Sequence, residues 1–289
     1  MKVENIINEI ESIDPEVFAR LDGRRNAMKN FAKFSGKIAL ASMPLAFGSM
    51  LNKAYGSPSG TTDAITDVLN FALTLEYLES EFYKAGYSAG IAGTLAIPAG
   101  APIGAIKTIR DHEAAHVAFL RTTITALGGT PVTKTAASFD FTAKGTFPTV
   151  FSDYTVFLAV AQTFEDTGVR AYKGQAGNLM GKKDVLTAAL NIHSVEARHA
   201  SHIRQMRKAN GGLVPAGVNV KPWITLNQSG IGTTAVQASY NGEEATTQAT
   251  VNIVNIGGFV ISANAASEAF DEALTKDQVL AIVTPFLLP

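Results

Sequence analysis

Cysteine is absent from the 289 residues of this chain. Its absence excludes disulfides, thiolate metal sites and cysteine nucleophiles, although it does not by itself fix the cellular compartment. Charged residues are also sparse, at 17% of the chain against about 25% in an average protein. The formal net charge of −1 gives no overall field that would attract nucleic acid. We therefore expect a strongly buried core and no nucleic-acid partner.

Long hydrophobic runs are missing over most of the sequence. After residue 60, no apolar run reaches the roughly 20 residues that a helix needs to cross a bilayer. The sequence therefore predicts no membrane-spanning helix in this part of the chain.

The N-terminal segment, residues 1–56, differs in composition from the rest of the chain. Residues 1–20 predict an acidic amphipathic helix, and the pair Arg24 and Arg25 then precedes a moderately apolar stretch over 38–51. Paired arginines followed by a lysine and such a stretch resemble a twin-arginine export signal. On this interpretation the chain meets the export machinery transiently and resides in the periplasm or is otherwise exported. The alternative is a cytoplasmic protein whose N-terminal helical arm packs on the domain or on a partner.

Residues 57–212 have the periodicity of helices. The predicted helices cover 63–85, 103–127, 148–176 and 184–209. A Gly/Ala/Pro-rich loop is expected after the first, Pro148 is expected in the first turn of the third, and Asp184 is expected to cap the fourth. The stretch 130–146 has no helical period and is long for a connection between helices. Four long helices with one long crossover predict an all-α four-helix bundle.

Each predicted helix carries carboxylate or imidazole groups on its apolar face. The second and fourth helices each have a Glu-x-x-His pair, whose i, i+3 spacing places both side chains on one side of a helix. The first and third helices each have a single glutamate. An ionised carboxylate on an apolar face is costly unless it is paired or binds a metal, and no Arg or Lys lies on these faces. The six candidate metal ligands are Glu76, Glu113, His116, Glu165, Glu196 and His199.

The two halves of the bundle look like a repeat. Glu76 is followed seven residues later by Tyr83, and Glu165 is followed seven residues later by Tyr172. Each half then presents Glu-x-x-His on its next helix, which is the known donor set of dinuclear sites in four-helix bundles. Carboxylates are hard ligands that can bridge two ions, and imidazole suits iron and manganese alike. The sequence therefore predicts a site for two metal ions, and the Fe or Mn identity of the pair rests on the family resemblance given below.

Several neighbouring residues stay open as alternatives. Glu79, one turn beyond the first glutamate, is a rival ligand, and His193 is either a ligand or a residue outside the site. We expect His112 and His202 to lie beside the ligands or at the surface. Three further residues are candidates to contact the ligands or simply to pack in the core: Gln162, Tyr83 and Tyr172.

Charged residues elsewhere on the third and fourth helices are expected to face solvent. Asp166 and Arg170 have the i, i+4 spacing of an ordinary surface ion pair. The solvated face of the fourth helix is predicted to carry Arg198, Arg204, Arg207 and Lys208.

The C-terminal region, residues 213–289, differs in composition and is rich in Val, Thr, Asn and Gly. Short strands or extended segments are predicted over 218–224, 235–240 and 250–256, wrapping the bundle. Short helices are predicted over 267–274 and from Thr275, where Gln278 occupies the capping-box position. We expect an irregular or partly β elaboration that ends in short helices.

At these residues the chain resembles the ferritin-like superfamily. Residues 75–83 (LEYLESEFY) and 111–116 (DHEAAH) are most similar to a bacterial and plant ferritin-like group that includes desiccation-related proteins, and 269–274 (AFDEAL) looks like that group too. The resemblance covers about 61–212 and implies a carboxylate-bridged di-iron or iron/manganese centre. It implies bridging roles for Glu113 and Glu196, terminal roles for Glu76 and Glu165, and one ion each for His116 and His199.

The activity that the resemblance implies is broad. We expect reaction with O₂ or hydrogen peroxide, with Fe(II) as a further reactant, as in a ferroxidase or a manganese-catalase-like removal of peroxide. The alternative is a non-enzymatic, stress-protective bundle whose metal only stabilises the core. A cage-forming storage protein is a third possibility, which the long C-terminal region disfavours. We expect a homo-oligomer, most simply a dimer.

Overall fold

The computed structural model describes residues 62–288, and the predicted N-terminal segment with its export signal lies outside them. Four long helices dominate these residues: α1 Thr62–Ala92, α2 Ala101–Ala126, α3 Tyr154–Ala176 and α4 Lys183–Asn210. Helix α1 packs along α2, and α3 packs along α4. The predicted all-α four-helix bundle with one long crossover is confirmed. None of the described helices is both long enough and apolar enough to span a bilayer.

The helix ends follow local chemistry, with corrections to the predicted bounds. Helix α1 extends into the expected loop as far as Ala92, and Gly86 within it leaves room for the Phe157 ring, since an added Cβ there would lie 2.2 Å from that ring. Helix α3 begins at Tyr154 instead of near Pro148, because Asp153 caps it and accepts a hydrogen bond from a backbone N–H in its first turn. Helix α4 begins at Lys183, so the predicted cap Asp184 lies within its first turn.

The crossover between α2 and α3 contains a 3₁₀ turn, Ala136–Ser138, and returns along the bundle. Its aromatic residues join the core, and Phe139 forms an isolated antiparallel bridge with Leu287. The backbone N–H of Asp140 donates to the carbonyl of Phe286 at 2.9 Å. The end of the C-terminal region thus holds the crossover against the bundle.

The C-terminal region is mostly irregular, as predicted. Its elements are a 3₁₀ helix Thr234–Ser239, the antiparallel pair β1 Thr247–Gln248 and β2 Val251–Asn252, a 3₁₀ turn Ile256–Gly258, helix α5 Ala263–Ser267, helix α6 Lys276–Val283 and a 3₁₀ turn Thr284–Phe286. The capping box of Thr275 and Gln278 is confirmed at the start of α6.

Some details of that region differ from the prediction of short strands or extended segments. The segment 235–240 falls in a 3₁₀ helix and contradicts it, whereas 250–256 contains β2 and 218–224 has neither helix nor strand. The expected helix over 267–274 is replaced by α5, which ends at Ser267. Apolar residues of this region, among them Ile224, Val236 and Tyr240, instead form a small hydrophobic cluster with Ala159 of α3.

This region covers the outer faces of α3 and α4, which were predicted to be solvated. Arg170, Arg204 and Arg207 are 1%, 3% and 1% exposed. Arg204 donates two hydrogen bonds to Asp166, and Arg170 lies 2.6 Å from Glu243 of the C-terminal region. The predicted surface pair between Asp166 and Arg170 is therefore wrong. A buried charge needs a partner, and the chain beyond α4 supplies several of the partners.

Candidate metal centre

The bundle brings all six candidate ligands together at its centre. Helices α1 and α3 each contribute one glutamate, and α2 and α4 each contribute one Glu-x-x-His pair. The four glutamates are fully buried at 0% exposure, and the two histidines are 9% and 5% exposed. These six residues are Glu76, Glu113, His116, Glu165, Glu196 and His199.

His116 points its Nδ1 atom at three carboxylates from three different helices. The distances from this atom are 3.1 Å to Glu76 Oε2, 3.3 Å to Glu113 Oε2 and 3.1 Å to Glu196 Oε1. One ligand atom from each of these four residues lies within 4.8 Å of all the others. The group is compact enough to surround one metal ion.

His199 forms a second such group around its own Nδ1 atom. This atom lies 2.9 Å from Glu113 Oε1, 3.3 Å from Glu165 Oε2 and 3.8 Å from Glu196 Oε2. One ligand atom from each of Glu113, Glu165, Glu196 and His199 again lies within 4.8 Å of all the others. The two groups therefore share Glu113 and Glu196.

The shared glutamates use different oxygens for the two groups. Glu113 turns Oε2 toward His116 and Oε1 toward His199, whereas Glu196 turns Oε1 toward His116 and Oε2 toward His199. Each of these carboxylates thus spans the two groups. This is the geometry that a carboxylate needs in order to bridge two ions.

Although they lie close to one another, several of these buried atoms form no well-aligned hydrogen bond within the described residues. They are Glu113 Oε1, Glu165 Oε2, both carboxylate oxygens of Glu196, and His199 Nδ1. Buried polar atoms without partners are rare in folded proteins, because desolvation is then uncompensated. Cations held by the two groups of ligand atoms would satisfy these atoms, so the donor set fits a metal.

Electrostatics point in the same direction. Burial, and then the neighbouring charge of Glu196, raises the pKa of Glu113 to about 7. Burial also raises the pKa of Glu76 and that of Glu165. Burial alone would lower the pKa of His116, but three surrounding carboxylates outweigh it and raise the pKa. Four carboxylates in one buried site thus need compensating positive charge.

Two tyrosines brace the single glutamates from across the bundle. Tyr83 on α1 donates a hydrogen bond of 2.5 Å to Glu165 Oε1 on α3. Tyr172 on α3 donates to Glu76 Oε1 on α1. Both tyrosines were left open between ligand contact and core packing, and the structure shows that they contact the ligands.

Glu79 lies beside the centre but belongs to neither group of ligand atoms. Its side chain is buried, and burial, followed by the charges of the four glutamates, raises its pKa well above the usual range. A Cβ added at Gly168 would lie 3.2 Å from Glu79 Oε1 and 3.7 Å from Glu196 Oε2. Gly168 thus provides the room in which Glu79 sits. If the two halves are aligned so that Glu76 matches Glu165 and Tyr83 matches Tyr172, Gly168 falls at the position of Glu79. The sequence alone could therefore have indicated this contact.

The other candidates fall outside the two groups. His112 Nδ1 lies 2.9 Å from His199 Nε2, on the side of that ring that faces away from the carboxylates. His193 Nδ1 contacts the carbonyl of Val169 at 3.0 Å, and His202 is exposed. Gln162 does not contact the centre either. It donates 2.8 Å and 3.0 Å hydrogen bonds to the carbonyl of Ser229 and the hydroxyl of Tyr240.

The four-helix part of the chain matches a known family. A sequence model of the ferritin-like domain matches residues 64–209. This range contains all four long helices apart from two residues of α1 and one of α4. No curated protein and no solved structure matches the chain. The finer resemblance to the desiccation-related group therefore stays a prediction.

Proposed function

This chain belongs to the ferritin-like domain family, and from that premise we propose that it is a non-haem dinuclear metal protein that reacts with O₂ or peroxide. The proposed cofactor is a pair of iron ions or one iron and one manganese ion. The proposed ligands are the six residues of the candidate centre. Fe(II) oxidation and removal of peroxide are the candidate reactions.

One observation carries the proposal: Glu113 and Glu196 each turn one oxygen to His116 and the other to His199. A single-ion site needs only one such group of ligands. Two groups that share two carboxylates support a pair of ions held side by side. Glu76 and Glu165 then complete one group each.

The charge of the donor set also supports two divalent ions. Four carboxylates balance the charge of two such ions, which a low-dielectric core tolerates. Two adjacent redox-active ions, when bound, would supply a two-electron change to O₂ or peroxide. The chain contributes a fully buried carboxylate set, braced by Tyr83 and Tyr172, that holds its geometry and excludes bulk water.

The direct test is the metal content of the full chain purified from cells grown with both iron and manganese. We expect about two ions per chain by elemental analysis. Fewer than about one ion per chain would overturn the proposal. Anomalous diffraction at the iron and manganese edges would identify the ion in each group.

The reaction is tested separately. Anaerobic loading with Fe(II), followed by exposure to O₂ or peroxide, should give rapid loss of Fe(II) with matching oxidant consumption. A protein that binds metal and gains thermal stability, yet consumes neither oxidant faster than free Fe(II), would be the stress-protective bundle instead.

A further inference from the structure

A cavity of about 550 Å³ opens between α2 and α4. A water molecule occupies about 30 Å³ in the liquid, so the cavity is far larger than O₂ or peroxide requires. It is lined by the first half of α2 and by α4 from Val195 to Met206. The proposed reaction with O₂ or peroxide does not account for a space of this size.

The cavity reaches the outer side of one candidate metal ligand. His199 lines it, with Nδ1 facing the buried carboxylates and Nε2 lying 2.9 Å from His112 Nδ1. The rings of His112 and His199 stack with centroids 5.2 Å apart, and His112 also lines the cavity. A ligand in the cavity would therefore sit one imidazole away from the carboxylate set.

Among the described residues that line the cavity, Arg198 is the one with a permanent charge. Arg198 and His202 line the cavity from α4, and both are solvent-exposed. No Asp or Glu lines it among the described residues. The start of α2 also lines it, and that helix end has neither a side-chain cap nor an acidic residue in its first turn. The partial positive charge of a helix N-terminus adds to that of the arginine.

Apart from Thr108, the remaining lining is apolar, with Ile109, Val195 and Met206 among its walls. An inorganic anion would use the positive charge but leave these walls in contact with water. A metal cation would find no carboxylate here. The lining therefore favours a ligand with a negatively charged head and an apolar body.

We propose that this cavity binds a small organic carboxylate, with its charged group at Arg198 and His202 and its hydrocarbon part against Ile109, Val195 and Met206. Binding depends only on the cavity. The placement of that ligand beside a dinuclear metal centre rests on the proposed function.

The test is calorimetric titration of the full chain, as purified, with hexanoate. We expect saturable binding at one site, and at least about tenfold weaker binding of 1-hexanol, hexylammonium and inorganic phosphate. Arg198→Gln should weaken hexanoate binding about tenfold, because the charge-assisted hydrogen bond is lost. Lys208→Gln removes an exposed cation of the same helix that does not line the cavity, and it should leave binding unchanged. Thr108→Trp, at an exposed position on the wall, should fill the cavity and abolish binding.

Three outcomes would overturn the proposal. They are no saturable binding at about 10 mM hexanoate, equal binding of hexylammonium or phosphate, and undiminished binding by a folded Arg198→Gln variant. Far-ultraviolet circular dichroism checks that each variant is folded. If the Thr108→Trp variant does not fold, the Arg198→Gln variant alone tests the proposal. Elemental analysis of the same sample separates the two proposals, since hexanoate binding by a metal-free chain would uphold this one while the dinuclear centre fails.

Discussion

Tyr83 and Glu165 lie on different helices, and the tyrosine hydroxyl donates a 2.5 Å hydrogen bond to Oε1 of the glutamate. That contact leaves Glu165 Oε2 facing His199 Nδ1 at 3.3 Å. Tyr172 does the same for Glu76, whose Oε2 faces His116 at 3.1 Å. Each tyrosine therefore fixes which carboxylate oxygen is turned to the centre.

Replacing either tyrosine with phenylalanine should weaken metal binding. Tyr83→Phe and Tyr172→Phe remove the donor and leave a buried carboxylate oxygen without its partner, which should cost about tenfold or more in affinity. Competition with a coloured chelator measures the change. Tyr77→Phe is the matched control, because the Tyr77 hydroxyl contacts Arg121 away from the centre. Equal effects at Tyr77 and Tyr83 would contradict the bracing role.

Substituting a glutamate that both groups share should remove more metal than substituting one that belongs to a single group. Glu113→Ala removes a residue common to both groups, so we expect both ions to be lost. Glu76→Ala disturbs only the group around His116 and should leave about one ion per chain. Elemental analysis of both purified variants distinguishes these results. Equal metal content in the two variants would contradict a role for Glu113 in binding both ions.

Metal affinity should fall as the pH falls through neutrality. The pKa of Glu113 is raised to about 7 by burial and by the charge of Glu196, so at lower pH this group is protonated in the metal-free protein. Metal binding must then displace a proton, which lowers the apparent affinity. Chelator competition at about pH 6 and about pH 8, on either side of that pKa, tests the sign. Affinity that is constant or higher at the lower pH would contradict it.

Gly168 should tolerate alanine poorly, although helices generally favour alanine over glycine. The added methyl group would lie 3.2 Å from Glu79 Oε1 in a tightly packed core, so we expect a loss of about 1–3 kcal/mol in the free energy of unfolding. Gly104→Ala in α2 is the control, because a Cβ there meets nothing within 4 Å and should gain about 0.5–1 kcal/mol. Urea denaturation measures both changes.

A second substitution tests whether Glu79 is the residue that the added methyl group at position 168 would meet. Glu79→Ala shortens the side chain that the new methyl group would meet. In the Glu79→Ala background, Gly168→Ala should therefore cost less than it does alone. A cost that is independent of residue 79 would place the strain elsewhere.

The buried ion pair of Asp166 and Arg204 should be sensitive to removal of one partner. Asp166→Asn leaves the buried guanidinium without its counter-charge, and we expect a loss of about 3–5 kcal/mol in the free energy of unfolding. Lys208→Gln on the exposed side of α4 should change it by less than about 0.5 kcal/mol. The double variant Asp166→Leu with Arg204→Met should be more stable than Asp166→Asn, since no unpaired charge remains buried. A double variant that is less stable would contradict this interpretation.

The sequence predicted the bundle and the residues at its centre because both depend on helical periodicity. Positions three or four residues apart share a helix face, so the apolar stripe that carries Glu76 also fixes the direction in which it points. The same spacing rule places His116 one turn after Glu113 on the same face of its helix. Long periodic segments bounded by glycine predicted nearly correct helix ends, as at Gly128 and Gly211.

The outer faces of α3 and α4 were predicted wrongly for an equally physical reason. Periodicity separates a helix's apolar face from its polar face, but it does not reveal that a distant segment covers the polar face. Arg204 and Arg207 were expected to be solvated, and only the position of Tyr240 and its neighbours shows that they are buried. The C-terminal region has no period of its own, so its path was not accessible from the sequence.

The burial of those arginines has a consequence for how the molecule divides. The family match ends at residue 209, but Arg170 and Arg207 of the matched range find carbonyl partners between 213 and 272. The range that matches the family therefore does not contain all the residues on which its folding depends. A chain cut at the end of α4 would lose its second hydrophobic cluster along with these partners, so the helices and the covering segment should melt in a single cooperative transition.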